Sequence, residues 1–312
     1  MKNKIQKIKK LKKTSKMPLV SIVMPVYNAQ DYLEEALESI IGQTYPKIEI
    51  IIVDDNSSDS SLEIVRQFKV KYKGMKIKIV ALKRRLNSGG DRCANEGIKF
   101  ARGKYIARMD ADDIATPKRI ETQVEFLESH TNTFLVGSNA YVIDKEGKII
   151  GEKLEPLSNE DIYKSYFRFH PLIHPTCMFR RLLKNKSAFK YQIKHSANND
   201  YLTFFKLICK GYKFANIEEK LLYFRVHGRN ATFENMKKNY INTLKIRIHV
   251  MLKYRYIPSP KDLGNLLAQT AVVMLLPEKT LLEIYFMAKG IKPINPLSVL
   301  LSFRKSFPSI VS

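Results

Sequence analysis

Four short apolar segments, separated by stretches with helical periodicity, constrain the fold of this chain more than any other feature. They lie at 19–25, 48–53, 77–82 and 105–109, and they are rich in β-branched residues. Continuously apolar strands are typical of a parallel sheet that is covered on both faces. Between the first two, Asp31 can cap a helix whose apolar positions are Leu33, Ala36, Leu37 and Ile40. We therefore predict an α/β fold: a mostly parallel central sheet flanked by helices, with right-handed crossovers.

Three acids follow the fourth of these strands, in the segment Arg108–Asp113. Carboxylates at the C-terminal end of such a strand lie at the crevice where α/β sheets bind ligands. Asp110 and Asp112 are two residues apart, so a continuing strand would point both to one face. Two oxygen ligands there suit Mg²⁺ or Mn²⁺ bridging to nucleotide phosphates. The alternative is that Asp112 or Asp113 caps a helix over 114–129, with Pro117 in its first turn.

The strands are not followed by a phosphate-binding glycine motif. Neither GxGxxG nor GxxxxGK[ST] occurs after any of them, which argues against a dinucleotide fold and against a P-loop. We expect a divalent cation, Mn²⁺ or Mg²⁺, and basic side chains to hold phosphate instead.

The rest of the chain continues the α/β pattern and then becomes helical. We predict strands at 134–143, 149–150, 174–180, 212–217 and 221–226, and helices at 157–169, 202–210, 236–254, 263–276 and 280–288, with a last apolar segment at 297–303. The C-terminal region from 231 onwards is predicted to be a basic helical extension.

The charge distribution indicates an anionic partner. The formal net charge of the 312 residues is +24. Residues 1–17 carry eight lysines and no acid, and residues 236–312 carry twelve basic residues and three acids. The basic, apolar C-terminal helices are suited to contact with an anionic membrane surface, or alternatively to packing as a subdomain.

Cysteine spacing, hydropathy and the N-terminal sequence together indicate the cellular compartment of the protein. The three cysteines, Cys93, Cys177 and Cys209, form no CxxC pair and are typical of a reducing compartment. The chain has no run of 18 apolar residues, so no transmembrane helix is predicted. The basic arm at 1–17 lacks the apolar core of a secretory signal. We expect a cytoplasmic protein, peripheral on the inner face of a membrane.

Several segments, in their order and spacing, resemble glycosyltransferase family 2. They are VSIVMPVYN at 20–28, IVDDNSSD at 52–59, Asn87-x-Gly89 with Asn95-x-Gly97, DADD at 110–113 with Pro117-x-Arg119-Ile120-x-x-Gln123, His174-Pro175-Thr176, Asn199-Asp200-Tyr201 and Tyr223–His227. The resemblance spans about 18–230 and implies the GT-A fold. A nucleotide-binding half would extend to about 130, and an acceptor half would occupy about 131–230.

The resemblance also implies roles for individual residues on the donor side. Tyr27 would lie against the nucleotide base, and Asp54 or Asp55 would hydrogen-bond the base or ribose. Asp110 and Asp112 are similar to the family's metal and nucleotide acids. The full set expected to bind the nucleotide sugar is Pro25, Tyr27, Asn28, Asp54, Asp55, Asn87, Asp110, Ala111 and Arg225.

On the acceptor side, Asp200 matches the family's catalytic base, and Asn199 stands where the family usually has Glu. Arg225 and His227 follow a strand and could hold the diphosphate or the acceptor, although Arg225 could instead be an electrostatic strut paired with an acid. His174 lines the acceptor pocket on one interpretation and is a satisfied loop histidine on the other. We assign His174 and His227 to the acceptor.

The predicted function is metal-dependent, inverting transfer of a sugar from a nucleoside-diphosphate sugar, with UDP expected, to a hydroxyl of a glycan or lipid-linked acceptor in polysaccharide biosynthesis. A nucleotidyltransferase shares paired acids but needs a glycine-rich loop after the first strand, which is lacking here. The alternative from another class is a basic protein that binds nucleic acid or membrane on an inactive scaffold. No helix-turn-helix, zinc or RNP pattern favours nucleic acid, and we expect none as a partner.

Overall fold

The computed structural model describes residues 17–82, 85–86, 90–227, 236–278, 280, 281 and 284. Its centre is a nine-stranded sheet in the order β3-β2-β1-β4-β8-β6-β9-β5, with β7 paired to β6. The strands are β1 (Val20–Val26), β2 (Ile48–Asp54), β3 (Ile77–Ala81), β4 (Tyr105–Arg108), β5 (Ile114–Ala115), β6 (Thr133–Ile143), β7 (Ile149–Lys153), β8 (Met178–Arg180) and β9 (Lys213–Arg225).

Eight helices accompany the sheet in the part of the chain that the structure describes. They are α1 (Leu33–Ile41), α2 (Ser61–Lys71), α3 (Asp91–Ile98), α4 (Arg119–Ser129), α5 (Asn159–Ser165), α6 (Asn199–Cys209), α7 (Met236–Tyr254) and α8 (Pro260–Leu275). The predicted α/β fold is confirmed.

The sheet has a parallel half and a mixed half. Strands β1 to β4 all run parallel, as their continuously apolar sequences predict. The sheet then turns mixed, because β8 lies antiparallel to both β4 and β6, while β6 and β9 are parallel. The carboxyl ends of β1, β2 and β4 consequently meet at one edge, where the polar segments after them come together.

Two hydrophobic clusters cover the two faces of the sheet. Alternate residues of β1 divide between them: Ile22 and Met24 belong to one cluster, and Val23 belongs to the other. The first cluster includes α1, whose buried positions Leu33, Ala36, Leu37 and Ile40 are those predicted from the sequence. Both faces are therefore dry, which explains why β2 is buried along its whole length.

Helix α3 lies unusually close to the sheet. A Cβ placed on Gly97 would lie 2.8 Å from Cγ2 of Val53 and 2.9 Å from Cγ1 of Val23. Only a residue without a side chain allows this approach. The close packing carries the start of α3, at Asp91, towards the carboxyl edge of the parallel strands.

Two predictions about helix starts are wrong. Asp31 does not cap α1, because Tyr32 occupies the N-cap position and makes no side-chain cap. The predicted helix over 114–129 begins only at Arg119, since the chain after the acids stays extended and pairs as β5 with β9. Pro117 therefore precedes the helix, and neither Asp112 nor Asp113 caps it.

Other boundaries shift for local reasons. The two strands predicted at 212–217 and 221–226 are one strand, β9, whose pairing with β6 absorbs register shifts. The predicted strand at 174–180 begins with a 3-10 turn at His174–Thr176 before β8. The predicted helix at 157–169 is confined to α5.

The C-terminal extension begins with two helices close to their predicted bounds. Helix α7 packs against α6, and α8 lies against α7 through a hydrogen bond between Tyr240 Oη and Thr270 Oγ1. Among the described residues, no helix combines the length and apolar character needed to cross a bilayer. The basic arm at 1–16, most of the predicted helix at 280–288, and the segment at 297–303 lie outside the described residues.

Candidate active site

The three acids after β4 form a compact carboxylate cluster. Strand β4 ends at Arg108, and the chain turns through Ala111 instead of continuing as a strand. The turn brings carboxylate oxygens of Asp110, Asp112 and Asp113 within 4.8 Å of one another. The predicted closeness of the acids is therefore present, but a turn produces it rather than strand alternation. Hard oxygen donors grouped in this way suit a divalent cation such as Mg²⁺ or Mn²⁺.

Two of these carboxylates have basic partners. Arg108 Nη2 lies 2.6 Å from Asp110 Oδ1, and His227 Nε2 lies 3.0 Å from Asp112 Oδ2. The His227 ring stacks on Tyr32 with 4.9 Å between centroids. His227, predicted to contact the acceptor, thus lies on the carboxylate cluster, and its acceptor role stays a prediction.

The third acid is the most enclosed. Asp113 is 1% exposed, and its Oδ1 accepts the backbone N–H of Arg225 at 2.9 Å. Its Oδ2 is buried and has no hydrogen-bond partner within the described residues. Burial, followed by the charges of Asp112 and Asp110, raises the pKa of Asp113 well above its usual range. A cation in this cluster would offset both the burial and the mutual repulsion.

Arg225 braces the acidic turn. Its Nε donates to the Asp112 carbonyl at 2.9 Å, and its Nη2 contacts Glu35 Oε2 at 2.5 Å. The guanidinium lies 4.7 Å from the Tyr32 ring centroid, and the residue is only 2% exposed. These contacts agree with the predicted strut, although the acid is Glu35 rather than Asp200 or the Asp112 carboxylate. Binding of the nucleotide sugar by Arg225 stays a prediction.

The ends of β1 and β2 form the second part of the site. Asp54 is 2% exposed; its Oδ2 accepts the Ser57 N–H at 3.2 Å, and its Oδ1 is buried with no partner within the described residues. Asp55 Oδ1 accepts the Leu86 N–H at 2.8 Å, and burial raises the pKa of Asp55.

An aromatic surface adjoins these acids. Tyr27 is 38% exposed, and the Arg85 guanidinium lies 3.7 Å from its ring centroid. Asn28 adopts a left-handed backbone with φ of 46°, and its Oδ1 accepts the Ser58 N–H at 2.8 Å. Pro25, at the end of β1, is partly exposed beside them. Asn87 lies outside the described residues.

Asp200 lies in the first turn of α6, one residue beyond its start. The N-cap position belongs to Asn198, so Asp200 is not the helix cap. Its Oδ2 lies 3.2 Å from His170 Nε2 and 3.5 Å from His174 Nδ1. Burial opposes ionisation, but the imidazole N–H groups of His174 and His170, directed at the carboxylate, outweigh it, and the pKa of Asp200 is lowered. Asp200 is therefore a carboxylate at neutral pH.

The His174 side chain is a neutral imidazole that orients the Asp200 carboxylate. Burial lowers the pKa of His174 to about 3. Because its Nδ1 faces the Asp200 carboxylate, Nδ1 carries the proton, and Nε2, which lies 2.9 Å from Tyr191 Oη, accepts a hydrogen bond from that hydroxyl. The sequence left two interpretations of His174, a residue of the acceptor pocket or a satisfied loop histidine. The structure places it beside the candidate base, and contact with an acceptor stays a prediction.

Three residues of this neighbourhood were missed from the sequence: Asp91, His170 and Tyr191. Asp91 is 2% exposed, and its Oδ2 accepts the Asp200 N–H at 2.9 Å, which ties α3 to α6. Burial, and then the Asp200 charge, raise the pKa of Asp91 well above its usual range. The place of Asp91 depends on the tight packing of α3 at Gly97, and His170 and Tyr191 reach the site from segments distant in sequence, so no sequence signal marks them.

The two parts of the site are electrostatically connected. Burial raises the pKa of Asp110, and the charges of Asp112 and Asp200 raise it further against the opposing effect of Arg108. Contacts join them too: Arg108, which pairs with Asp110, lies 3.3 Å from the Cβ position of Gly90, and the next residue, Asp91, accepts the Asp200 N–H. The carboxylate cluster and the Asp200 carboxylate therefore belong to one region. This arrangement can hold a cation with phosphate and can present a separate carboxylate to a hydroxyl group.

Asn199 supports the chain next to Asp200 rather than its carboxylate. It is fully buried, and its Oδ1 accepts the N–H groups of Lys194 and His195 at 2.9 and 3.0 Å. Its Nδ2 donates to the His195 carbonyl at 2.9 Å. A carboxylate at this position could not make the last bond.

Comparison with known proteins agrees with this geometry. The model of the family described as glycosyl transferase family 2 matches residues 21–188. An uncharacterized glycosyltransferase of Methanocaldococcus jannaschii is 38% identical over 224 residues, which cover 71% of this chain and 75% of that protein. The UDP-Glc:alpha-D-GlcNAc-diphosphoundecaprenol beta-1,3-glucosyltransferase of Escherichia coli is 30% identical over 238 residues, which cover 75% of this chain and 89% of that protein.

A solved structure has a similar fold. It is a mannosyltransferase from Pyrobaculum calidifontis in complex with GDP-Man and Mn²⁺. The two superpose with a TM-score of 0.56 at 18% identity, covering 97% of this chain and 86% of the other.

Proposed function

The chain belongs to glycosyltransferase family 2 and is an enzyme that transfers sugars, and on that premise we propose its reaction. It moves a sugar from a nucleoside-diphosphate sugar to a hydroxyl of a glycan or lipid-linked acceptor, with inversion at the anomeric carbon. The observation that carries this proposal is the pairing of the carboxylate cluster with a separate, ionised Asp200 in one region.

Donor binding is assigned to the carboxylate cluster and the ends of β1 and β2. Asp110 and Asp112 would hold Mn²⁺ or Mg²⁺, with Asp113 enclosed beside them. When bound, the cation supplies Lewis-acid stabilisation of the diphosphate leaving group. The exposed Tyr27 ring offers a surface for the base, and the unpartnered buried oxygen of Asp54 offers an acceptor for a donor hydroxyl or N–H group.

The proposal for the donor nucleotide rests on the relatives of the chain. UDP is favoured because the Escherichia coli relative is described as using UDP-Glc. The GDP-mannose in the Pyrobaculum structure belongs to a protein only 18% identical to this one, which supports the fold and not the donor. We propose a UDP-sugar.

Asp200 is assigned as the base. As the acceptor oxygen attacks the anomeric carbon, its proton passes to the Asp200 carboxylate and the bond to the diphosphate breaks. One base and one direct displacement give inversion, by the geometric logic known for inverting glycosidases. His170 and His174 hold the carboxylate ionised and oriented, while Asp91 fixes the backbone beneath it.

The acceptor side is proposed to face an anionic membrane surface. Exposed positions of α7 fall at helical spacing, where the basic residues Lys238 and Lys245 alternate with Ile241, Ile248 and Leu252. Arg255 follows directly after the helix. Helix α8 has no buried residue and also exposes apolar side chains, Leu267 at 73% among them. Apolar side chains flanked by cations suit insertion at a lipid headgroup layer.

The test of the reaction compares wild type with Asp200→Asn. Asparagine keeps the shape of the side chain but cannot take the proton. We expect transfer, measured as UDP release from UDP-sugar with a lipid-linked glycan acceptor, to fall by about 10²- to 10⁴-fold, with metal-dependent UDP binding unchanged. The matched control is Asp161→Asn, on the exposed start of α5. Unchanged turnover in Asp200→Asn would contradict the assignment.

A further inference from the structure

Seven basic side chains lie on three adjoining elements, the loop after β8, α6 with its C-cap, and α7, and no acid is among them. They are Lys194 and His195 in the loop after β8, Lys206 on α6 and Lys210 at its C-cap, and Lys245, His249 and Lys253 on α7. We call these seven residues the cationic cluster. None of them forms a salt bridge with any carboxylate in the described part of the chain.

Lys206 lies at the bottom of the cluster. It is 4% exposed, and its Nζ donates to Gln192 Oε1 at 2.6 Å. A lysine is rarely buried so deeply without a carboxylate partner. Burial and the charges of Lys194, Lys253 and Lys210 lower the pKa of Lys206 to about 8. The amine is therefore mostly charged at neutral pH, and its charge is not balanced by a neighbouring acid in the described structure.

The surrounding residues repel one another. Burial, and then the charges of Lys245, Lys194 and Lys206, lower the pKa of His195. The pKa of His249 is lowered in the same way, and its Nε2 is buried with no hydrogen-bond partner among the described residues. Both rings are therefore uncharged at neutral pH, and the remaining repulsion is among the lysines, which destabilises the protein unless an anion joins them.

The cluster is built onto the helix that carries Asp200. Asn199, Thr203 and Lys206 lie on one face of α6, and their side chains bind the loop at Lys194, His195 and Gln192. Lys206 is six residues beyond Asp200, which corresponds to about 9 Å of helix rise. Because six residues also turn the helix by about 240°, an anion held there would lie on another side of α6 from the proposed base, and on a different element from the carboxylate cluster.

We propose that the cationic cluster binds a phosphate or diphosphate group of the acceptor. The inference rests on the proposed function and names its acceptor as a phosphate-bearing molecule. The donor diphosphate is assigned to the carboxylate cluster, so it is not the anion that this second site takes. Lys206 is too enclosed to reach a flat layer of headgroups, whereas a phosphate on a slender acceptor can enter between the exposed Lys194, Lys245 and Lys253 side chains.

The first test uses inorganic pyrophosphate in buffer with EDTA, which prevents metal-dependent binding at the carboxylate cluster. We expect pyrophosphate to raise the Tm of wild type through linkage. In Lys206→Met, which keeps the aliphatic stem, the apparent affinity should fall about tenfold or more, since a hydrogen bond to a charged group is lost. Without ligand, the Tm of Lys206→Met should equal or exceed that of wild type because an unbalanced buried charge is removed.

Two controls keep the test decisive. Lys69→Met removes an exposed lysine from α2 and should leave the pyrophosphate response unchanged. If Lys206→Met fails to fold, the double variant Lys194→Met/Lys253→Met removes two exposed cations of the cluster and should weaken pyrophosphate by a similar factor. No response in wild type, or an equal response in wild type and the cluster variants, would overturn the proposal.

Further measurements separate this inference from the proposed function and the acceptor from other phosphates. Lys206→Met should still bind UDP with Mn²⁺. If the wild-type protein did not bind UDP with Mn²⁺, that result would contradict the proposed function and not the inference about the cationic cluster. Binding to phosphatidylglycerol vesicles should be nearly unchanged by Lys206→Met. A parallel loss of vesicle binding would assign the cluster to headgroups, and tighter binding of a single-stranded oligonucleotide, lost in the same variant, would assign it to nucleic acid. Either result would overturn the acceptor assignment.

Discussion

At the scale of single residues, the site depends on side chains that hold backbone as much as on those that face the reactants. Asn199 illustrates this. The family usually has Glu at this position, and the change could suggest a weakened base. The structure gives Asn199 another task, because its carboxamide secures the loop at Lys194 and His195 through one donated and two accepted bonds.

Asn199→Asp tests that task. The substitution keeps the accepting oxygen but replaces the donor with a second oxygen facing the His195 carbonyl, in a fully buried position. We expect the free energy of unfolding to fall by about 1–3 kcal/mol, measured by urea denaturation. Sugar transfer should fall as well, because the chain beside Asp200 shifts.

The control for this prediction is Asn185→Asp. Asn185 is exposed, and its side-chain oxygen accepts bonds from Ser187, which an aspartate can preserve. The stability of Asn185→Asp should match that of wild type. If Asn199→Asp were as stable as wild type, the loop-holding role would be wrong.

The sequence predicts these residues unevenly. Asp110 and Asp112 are recognisable because acids that follow an apolar strand stand out from their surroundings, whereas Asp200 is recognisable only through its match to the family pattern. Asp91 and His170 are not recognisable, since their meeting with Asp200 joins elements that are about 30 to 110 residues apart. Arg119 and Gln123 match the family pattern, and they bind the Arg108 and Thr176 carbonyls inside the protein.

At the scale of elements, the apolar strands and their helices are predictable, whereas the links that depend on pairing partners are not. The parallel strands β1 to β4 follow from their continuous apolar runs. The extended segment β5 cannot be inferred from its own two residues, because its conformation is set by β9, more than 100 residues later. The same dependence joins the two predicted strands into β9.

Gly97→Ala tests the packing of α3. An added Cβ would lie under 3.0 Å from two valine methyl groups of β1 and β2. The steric cost should exceed the gain of about 1 kcal/mol that alanine brings within a helix, for a net loss of about 1–2 kcal/mol in the free energy of unfolding. Because α3 carries Asp91, transfer activity should also decrease.

Gly264→Ala in α8 is the matched control. It is a helical glycine with open space where the new Cβ would be. Its stability should rise by about 0.5–1 kcal/mol or stay level, as judged by the same urea denaturation series. Equal effects of the two substitutions would show that α3 does not need its close approach to the sheet.

At the scale of the whole molecule, the charge and the apolar surface lie together at the C-terminal helices. Nine exposed large hydrophobic residues fall between Ile241 and Leu275, out of seventeen in the described chain. Eight of the nine are carried by α7 and α8, and Ile257 lies in the segment between them. This concentration favours a surface with an apolar partner. The division into an arm at 1–17, a catalytic part at 18–230 and a helical region at 231–312 stays a prediction.

Vesicle binding tests the membrane proposal. The double variant Ile248→Asn/Leu252→Asn removes two exposed apolar side chains from α7 and should leave the fold stable. We expect co-sedimentation with phosphatidylglycerol vesicles to weaken about tenfold or more, since each side chain contributes roughly 1.5 kcal/mol or more on insertion. Val70→Asn on α2 should not change binding. Equal binding of wild type and the double variant, or equal binding to phosphatidylcholine, would contradict the proposal.

The central claim, a metal-dependent nucleotide-sugar site at the carboxylate cluster, is tested most directly by thermal stability with a panel of nucleoside diphosphates, with and without Mn²⁺. We predict that UDP with Mn²⁺ raises the Tm of wild type and of Glu63→Ala, an exposed acid on α2, and that the rise disappears without metal and in Asp112→Ala. A different nucleotide giving the same pattern would change only the donor. No rise with any nucleotide and metal, or a rise that survives in Asp112→Ala, would contradict the account.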